Sequence, residues 1–180
     1  MAVELEALGT SNYLDADDDE EHYEFLHGQK IKKESVGRKK HSLLGKVIER
    51  MLAPLAHAQK SFIATEWTIM HGKEKAVPNV TVSFPDWTEQ DGYLVAPAFL
   101  VVESISPGQR LPKLFAKCFN TYHPWGTPYC WIIDPEDGAY EVHRDYDGLV
   151  RPVTTLTAGQ NISLELSMII AELGRELRPF

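Results

Sequence analysis

The amino-acid sequence predicts a single-domain α/β fold in which a mixed β-sheet is flanked by helices. Three observations predict it: an apolar run at residues 99–106, two stretches with apolar residues at helical spacing, and two alternating stretches around a Gly-Lys pair. The chain has 180 residues, of which 43% are hydrophobic. That is enough apolar material for one sizeable core, so one domain is expected.

The chain is expected to begin with a flexible acidic segment at residues 1–22, followed by a folded domain at residues 23–180. The first helix is predicted at residues 41–55, where apolar residues recur on one stripe at positions 43, 44, 47, 48, 51 and 52. Pro54 is expected to end this helix because proline has no backbone N–H to donate.

A β-hairpin is predicted next, at residues 61–84, because polar and apolar residues alternate on both sides of Gly72 and Lys73. If these two residues form the centre of a tight turn, Glu66 lies directly opposite Asn79 on one face of the hairpin. A register shifted by one residue would place Trp67 there instead.

The remaining elements follow after a loop. Residues 99–106 form a buried central strand, and residues 111–122 form a second helix in which Pro112 is tolerated only in the first turn. Residues 129–135 form another buried strand, which a turn at residues 137–138 leads into a strand at residues 139–144. A helix at residues 166–177 closes the chain.

Charge and cysteine usage restrict the class of protein. The net charge of -8 argues against coating of nucleic acid by bulk attraction, although residues 30–40 form a basic segment. This segment is either solvated surface or a local contact for DNA. Two cysteines without CxxC spacing predict reduced thiols, and no export signal or membrane span is recognised, so a cytoplasmic protein is expected.

Glu103 is the most informative single residue, because it lies inside the apolar run at residues 99–106. A carboxylate in a buried strand is costly unless a cation or several donors meet it. Lys113 and Lys117 lie one helical turn apart on the following helix and could reach it. The pair is either a simple ion pair or part of a divalent-metal site for phosphodiester cleavage.

Several segments in this order resemble the bacterial Uma-two family of restriction endonucleases, within the PD-(D/E)XK nuclease superfamily. The segments are "YEFLHGQ", "ESVGRKKHSLL", "VPNVTV", "FLVVESISPGQRL", "KC" and "WGTPYCWIIDPEDGAYEVHR". The resemblance implies a restriction-endonuclease-like fold, a Mg²⁺ or Mn²⁺ site, DNA as the substrate and hydrolysis as the reaction. A homodimer is also expected.

The resemblance assigns catalytic roles to Glu103, which matches the family's strand glutamate, and to Lys117, which matches its helix lysine. Asn79 stands where the family has its metal-binding aspartate, so one anionic ligand is missing. The stretch between Lys117 and Trp125 is one residue longer than the family pattern, which could rotate Lys117 if the extra residue lies within the helix.

Other residues are assigned accessory roles. Glu66 is the candidate that would replace the missing metal ligand, beside Glu103 and Asn79. His41 and Glu34 resemble a histidine and a glutamate near the family's first helix, and Lys113 is the alternative to Lys117. The candidate DNA-contacting residues of the basic segment are Lys32, Lys33, Arg38, Lys39 and Lys40.

Three functions remain open from the sequence. The first is a weak Mg²⁺-dependent DNA endonuclease, and the second is a degenerate nuclease fold that binds DNA or a protein without cutting. The third is a structural or dimerisation module, which salt-sensitive retention of DNA would distinguish from the other two.

Overall fold

The computed structural model describes residues 23–32, 39–105, 109–145 and 150–178. The segment at residues 1–22, which we expect to be flexible, lies outside them. The helices in the described part are α1 (Lys39–Ala58), α2 (Leu111–Lys117), a π-helical turn (Cys118–Tyr122) and α3 (Leu166–Glu176). The strands in the described part are β1 (Tyr23–Leu26), β2 (Gln29–Lys32), β3 (Ile63–Thr65), β4 (Ile69–His71), β5 (Glu74–Ala76), β6 (Val80–Ser83), β7 (Thr88–Gln90), β8 (Tyr93–Val95), β9 (Ala98–Ser104), β10 (Tyr129–Asp134), β11 (Gly138–His143), β12 (Pro152–Val153), β13 (Thr155–Ala158) and β14 (Ile162–Glu165).

The central sheet has six strands in the order β12-β11-β10-β9-β6-β3. It is mixed, because β9 and β10 run parallel while their other neighbours are antiparallel. Successive residues of β9 point to opposite faces. Leu100 and Val102 pack in a core with α1 and α3, whereas Val101 packs in a second core with α2. Glu103 shares the parity of Val101 and therefore faces α2.

A second sheet, which we name the outer sheet, has the strand order β2-β1-β5-β4-β8-β7. Its inner face packs into the same core as α2 through four buried residues, Leu26, Ile69, Ala76 and Leu94. Helix α2 is therefore in one core with residues of both six-stranded sheets. This arrangement brings strand β1, near the start of the domain, close to Glu103.

The predicted hairpin has the predicted register. Ile69 pairs with Ala76 beside the turn, and further along Thr65 pairs with Val80. The hairpin is divided between the two sheets, because β4 and β5 belong to the outer sheet while β3 and β6 belong to the central sheet. The break occurs next to Glu66, whose backbone has a positive φ of 51°.

Two predictions about element boundaries are wrong. Helix α1 continues through Pro54 to Ala58, because Ala56 in its last turn is fully buried in the core and packing outweighs one missing hydrogen bond. The loop expected before Glu103 contains the hairpin of β7 and β8, in which β7 is exposed and polar and β8 is only three residues long, too short for a clear apolar pattern. The predicted strands at residues 129–135 and 139–144 are confirmed as β10 and β11.

The two cysteines, Cys118 and Cys130, are free, as expected, and the structure shows that both are buried. Within the described ranges, no helix is long and apolar enough to cross a membrane.

Candidate active site

Glu103 lies near the end of β9 and is only 4% exposed. Its Oε1 atom accepts a hydrogen bond from Lys117 Nζ at 2.7 Å and another from Tyr122 Oη at 2.5 Å. A buried carboxylate is stable only with such partners. The structure therefore provides both the cation and an additional donor that the apolar run requires.

Lys117 bridges two carboxylates. Its Nζ atom lies 2.6 Å from Glu24 Oε1 as well as 2.7 Å from Glu103 Oε1. Burial alone would lower the pKa of Lys117, but the charges of Glu103 and Glu24 and their hydrogen bonds outweigh it and raise the pKa. The side chain is therefore an ammonium ion at neutral pH.

Glu24 is the site residue that the sequence interpretation missed. It lies on β1 and is 6% exposed, and its Oε1 atom also accepts a hydrogen bond from the Val77 backbone N–H at 2.8 Å. A signal was present in the sequence: strand alternation places Glu24 on the same face as the apolar Leu26. A carboxylate at an inward-facing position needs a cation or several hydrogen-bond donors, as Glu103 does.

The π-helical turn positions Tyr122 against Glu103. Its wider backbone pattern is visible in the hydrogen bond from His123 N to Cys118 O, five residues back, at 2.9 Å. A π-helical turn accommodates one extra residue, and this one begins directly after Lys117. The additional residue expected between Lys117 and Trp125 therefore does not rotate Lys117 away from Glu103. Burial raises the pKa of Tyr122, as do the charges of Glu103 and Glu24.

Asn79 lies next to this cluster. It precedes Val80, which pairs with Val102, so Asn79 is in register with Glu103 across β6 and β9. Its Oδ1 atom accepts a hydrogen bond from the Ser104 backbone N–H at 2.8 Å. The amide oxygen that could contact a metal is therefore already used to hold the end of β9.

Glu66 lies opposite Asn79, as predicted, and its backbone N–H donates to Asn79 O at 3.1 Å. Its positive φ coincides with an exposed side chain, whereas Glu24 and Glu103 are buried. Lys113 is also exposed, so of the two candidate lysines it is Lys117 that pairs with Glu103.

Of the candidate residues in and beside the basic segment, the structure describes the side chains of two, Lys32 and Lys40. Lys32 is exposed on β2, and Lys40 pairs with Glu136 at 3.0 Å. The remaining candidates lie outside the described residues, either entirely (Lys33, Glu34 and Arg38) or by their side chains (Lys39 and His41).

The carboxylates of this site that a divalent cation would use are Glu24 and Glu103. Within the described part of the chain, no group of three or more His, Cys, Asp or Glu residues could hold a metal ion. Two buried carboxylates nevertheless lie within 2.7 Å of one cationic nitrogen. Mg²⁺ is commonly held by one or two carboxylates, with water and substrate phosphate completing its shell. Glu24 and Glu103 would supply that minimum.

The fold is that of a restriction-endonuclease-like protein. A solved structure from Anabaena variabilis, described as a "putative nuclease", matches with a TM-score of 0.69 and 18% sequence identity, covering 84% of this chain and 90% of that chain. No curated protein matches the chain in sequence. A family model described as "Putative restriction endonuclease" matches residues 10–172, and the chain belongs to this family, the Uma-two family.

Proposed function

We propose that this protein is a divalent-metal-dependent DNA endonuclease that hydrolyses phosphodiester bonds and is weakened by the neutral residue Asn79. The observation that carries the proposal is the buried cluster in which Lys117 joins Glu103 and Glu24. Such a cluster keeps a fixed cation beside two anions in a place largely shielded from water. Membership of the family supports a nuclease, and DNA is the substrate that this class implies.

The chain's own residues have separable roles. Glu24 and Glu103 would hold a Mg²⁺ or Mn²⁺ ion, which when bound stabilises charge on the phosphate and acidifies water. Lys117 would stabilise the negative charge that develops on the phosphate, because its raised pKa makes it a poor proton acceptor. Tyr122 acts as a positioning residue, because its hydroxyl donates to Glu103 and fixes the carboxylate's orientation.

Asn79 lowers the charge available to the metal. Hard divalent cations gain more from an anionic oxygen than from an amide oxygen. The Asn79 amide oxygen is in addition engaged by Ser104 N–H. We therefore expect weak metal binding in the absence of DNA.

The first test removes the acid and the lysine one at a time. In a plasmid-nicking assay with Mn²⁺, Glu103→Gln should abolish cleavage and Lys117→Ala should lower it by about 10² or more, because each removes a preorganised charge. Lys113→Ala, one helical turn away and exposed, is the matched control and should keep wild-type activity. Undiminished nicking by Glu103→Gln would refute the assignment.

The second test restores the missing charge. Asn79→Asp should bind Mn²⁺ at least about tenfold more tightly in calorimetry, a difference near 1.4 kcal/mol, and nicking should accelerate. Asn120→Asp adds the same charge at an exposed position and should change neither quantity. A folded Asn79→Asp protein that binds metal no better would contradict the proposed cause of the weakness.

A second candidate function is binding of DNA or a protein partner without cleavage. The hydrogen bond from Ser104 to Asn79 favours it, because the position of the family's aspartate serves here to hold the backbone. Retention of DNA by the wild type, with no nicking by the wild type or by Asn79→Asp, would establish this second function. The homodimer and the cytoplasmic location stay predictions.

A further inference from the structure

Strand β1 also contributes to a surface on the side of the outer sheet opposite Glu24. Residues that alternate with the buried inner-face residues point outward. The exposed or half-buried side chains on this side include three lysines and three aromatic residues: Tyr23, Phe25, Lys30, Lys32, Lys75 and Tyr93. We name this surface the lysine–aromatic face.

The face has a regular arrangement of cations and rings. Phe25 is in register with Lys30 on β2 and with Lys75 on β5, so a lysine lies at the paired position of the strand on each side, and neighbouring strands are about 4.8 Å apart. Lys30 Nζ lies 4.2 Å from the ring centroid of Tyr23, and Lys75 Nζ lies 4.2 Å from that of Tyr93. Phe25 remains 38% exposed.

The charge on this face has one sign. None of Lys30, Lys32 and Lys75 forms an ion pair with an acid among the described residues. The acids of the same strands lie elsewhere, since Glu24 faces the site and Glu74 bonds to the backbone of His27. The face is therefore locally positive in a chain with a net charge of -8.

Protection of a sheet edge does not explain the pattern. Lysines on edge strands oppose unwanted strand pairing, and that reason suffices for Lys30 and Lys32 on β2. Lys75 lies on β5, which is paired on both sides by β1 and β4. An exposed phenylalanine between two lysines also has no role in blocking an edge.

We propose that the lysine–aromatic face binds single-stranded nucleic acid. The lysines would contact successive phosphates, and an unpaired base would stack on Phe25, which is the combination that non-sequence-specific single-strand binders use. A duplex hides the faces of its bases, so the exposed ring favours an unpaired strand over a duplex. Because this face lies opposite Glu24 on β1, the proposal does not require that the protein cleaves DNA.

The test measures binding of a fluorescein-labelled oligothymidylate by anisotropy over a range of salt concentrations, without divalent metal. Phe25→Ala should weaken binding about tenfold through lost stacking. Lys30→Gln and Lys75→Gln should each reduce the salt slope by about 0.7, the value for one phosphate contact with a single strand.

Matched controls separate this face from the rest of the surface. Lys46→Gln removes an exposed lysine of α1, and Met168→Ala removes an exposed apolar side chain of α3, which is 56% exposed. Both should leave binding unchanged. Equal losses in Lys46→Gln and Lys75→Gln would overturn the proposal, as would unchanged binding in Phe25→Ala. Binding that appears only after residues 15–21 are neutralised would identify the chain's own acidic segment as the occupant and would also overturn it.

Discussion

At the scale of single residues, the site depends on one ammonium group shared by two buried carboxylates. Glu103 and a lysine partner on the next helix could be predicted from the sequence, because a charge inside an apolar run requires a cation. The choice of Lys117 over Lys113 followed only from the family resemblance. Glu24 could not be paired in advance, since strand β1 is only four residues long and its partner is 93 residues away. Glu66 was placed in the correct register, but no register rule foresees the positive φ that accompanies its exposed side chain.

Lys117→Met should be strongly destabilising at neutral pH. It leaves Glu24 and Glu103 buried beside each other without their common cation, which should cost about 3–5 kcal/mol of unfolding free energy. Urea unfolding at pH 7 measures the loss. The exposed Lys113→Met serves as control.

The cause of this loss can be checked by removing one of the two charges as well. Lys117→Met combined with Glu24→Gln leaves a single buried carboxylate and should recover part of the lost stability. No recovery in the double variant would mean that packing of the lysine stem, rather than charge, accounts for the loss.

At the scale of elements, the π-helical turn allows an additional residue between Lys117 and Tyr122 while both still contact Glu103. The helical spacing of apolar residues predicted one continuous helix here, because an α-helix and a π-helix differ by only one residue in their hydrogen bonds. The hairpin could also be predicted only in part. Its pairing followed from the turn, whereas its division between two sheets depends on contacts with β8 and β9 that are distant in sequence.

Deletion of the exposed Asn120 should convert the π-helical turn into regular α-helix. Tyr122 would then follow Lys117 by four residues instead of five, which is again about one turn, so both side chains stay on one face. We expect a folded protein whose unfolding free energy in urea is within about 1 kcal/mol of the wild type.

The matched control for this deletion is insertion of an alanine after Asn120, which rotates Tyr122 away from Glu103 and should destabilise the fold. Tyr122→Phe removes the hydroxyl that donates to Glu103 and should lower the unfolding free energy of the wild type. Two results would show that the extra residue is needed for the site: unfolding of the deletion variant, or no loss of stability when Tyr122→Phe is added to it.

At the scale of the whole molecule, the pH dependence of stability should reflect groups buried in the core that contains α2. His123 should make stability depend on pH below neutrality, because burial lowers its pKa. Its Nδ1 atom lies 2.8 Å from Thr127 O. A depressed pKa means that the unfolded chain binds the proton more readily. Stability is therefore fully present above the unfolded value of about 6.5 and falls as pH decreases.

Between about pH 6.5 and pH 5, the wild type should lose at most about 1.4 kcal/mol of unfolding free energy per pH unit through His123. His123→Gln keeps a donor for Thr127 but cannot take up a proton, so its denaturant midpoint should vary less over this interval. His57→Gln, at an exposed position of α1, should retain the wild-type profile. A parallel fall in the His123→Gln protein would assign the acid sensitivity to other groups.

Above neutral pH, the stability changes in the opposite direction and falls as pH rises. The pKa values of Lys117 and Tyr122 are raised, so the folded protein holds these protons more tightly than the unfolded chain does. Their contribution is fully present below about pH 10 and is lost at higher pH. Thermal melts should consequently be insensitive to these two groups throughout the neutral range.

The separation of Glu24 and Lys117 along the chain also has a consequence for synthesis on the ribosome. Glu103 precedes Lys117 by 14 residues, but Glu24 precedes it by 93, so at about 5–20 residues per second Glu24 emerges about 5–20 s earlier. During that interval its carboxylate has no ammonium partner and is stable only in water. Strand β1 should therefore dock late, and a growing chain that ends before α2 should leave the β1–β2 hairpin accessible to protease.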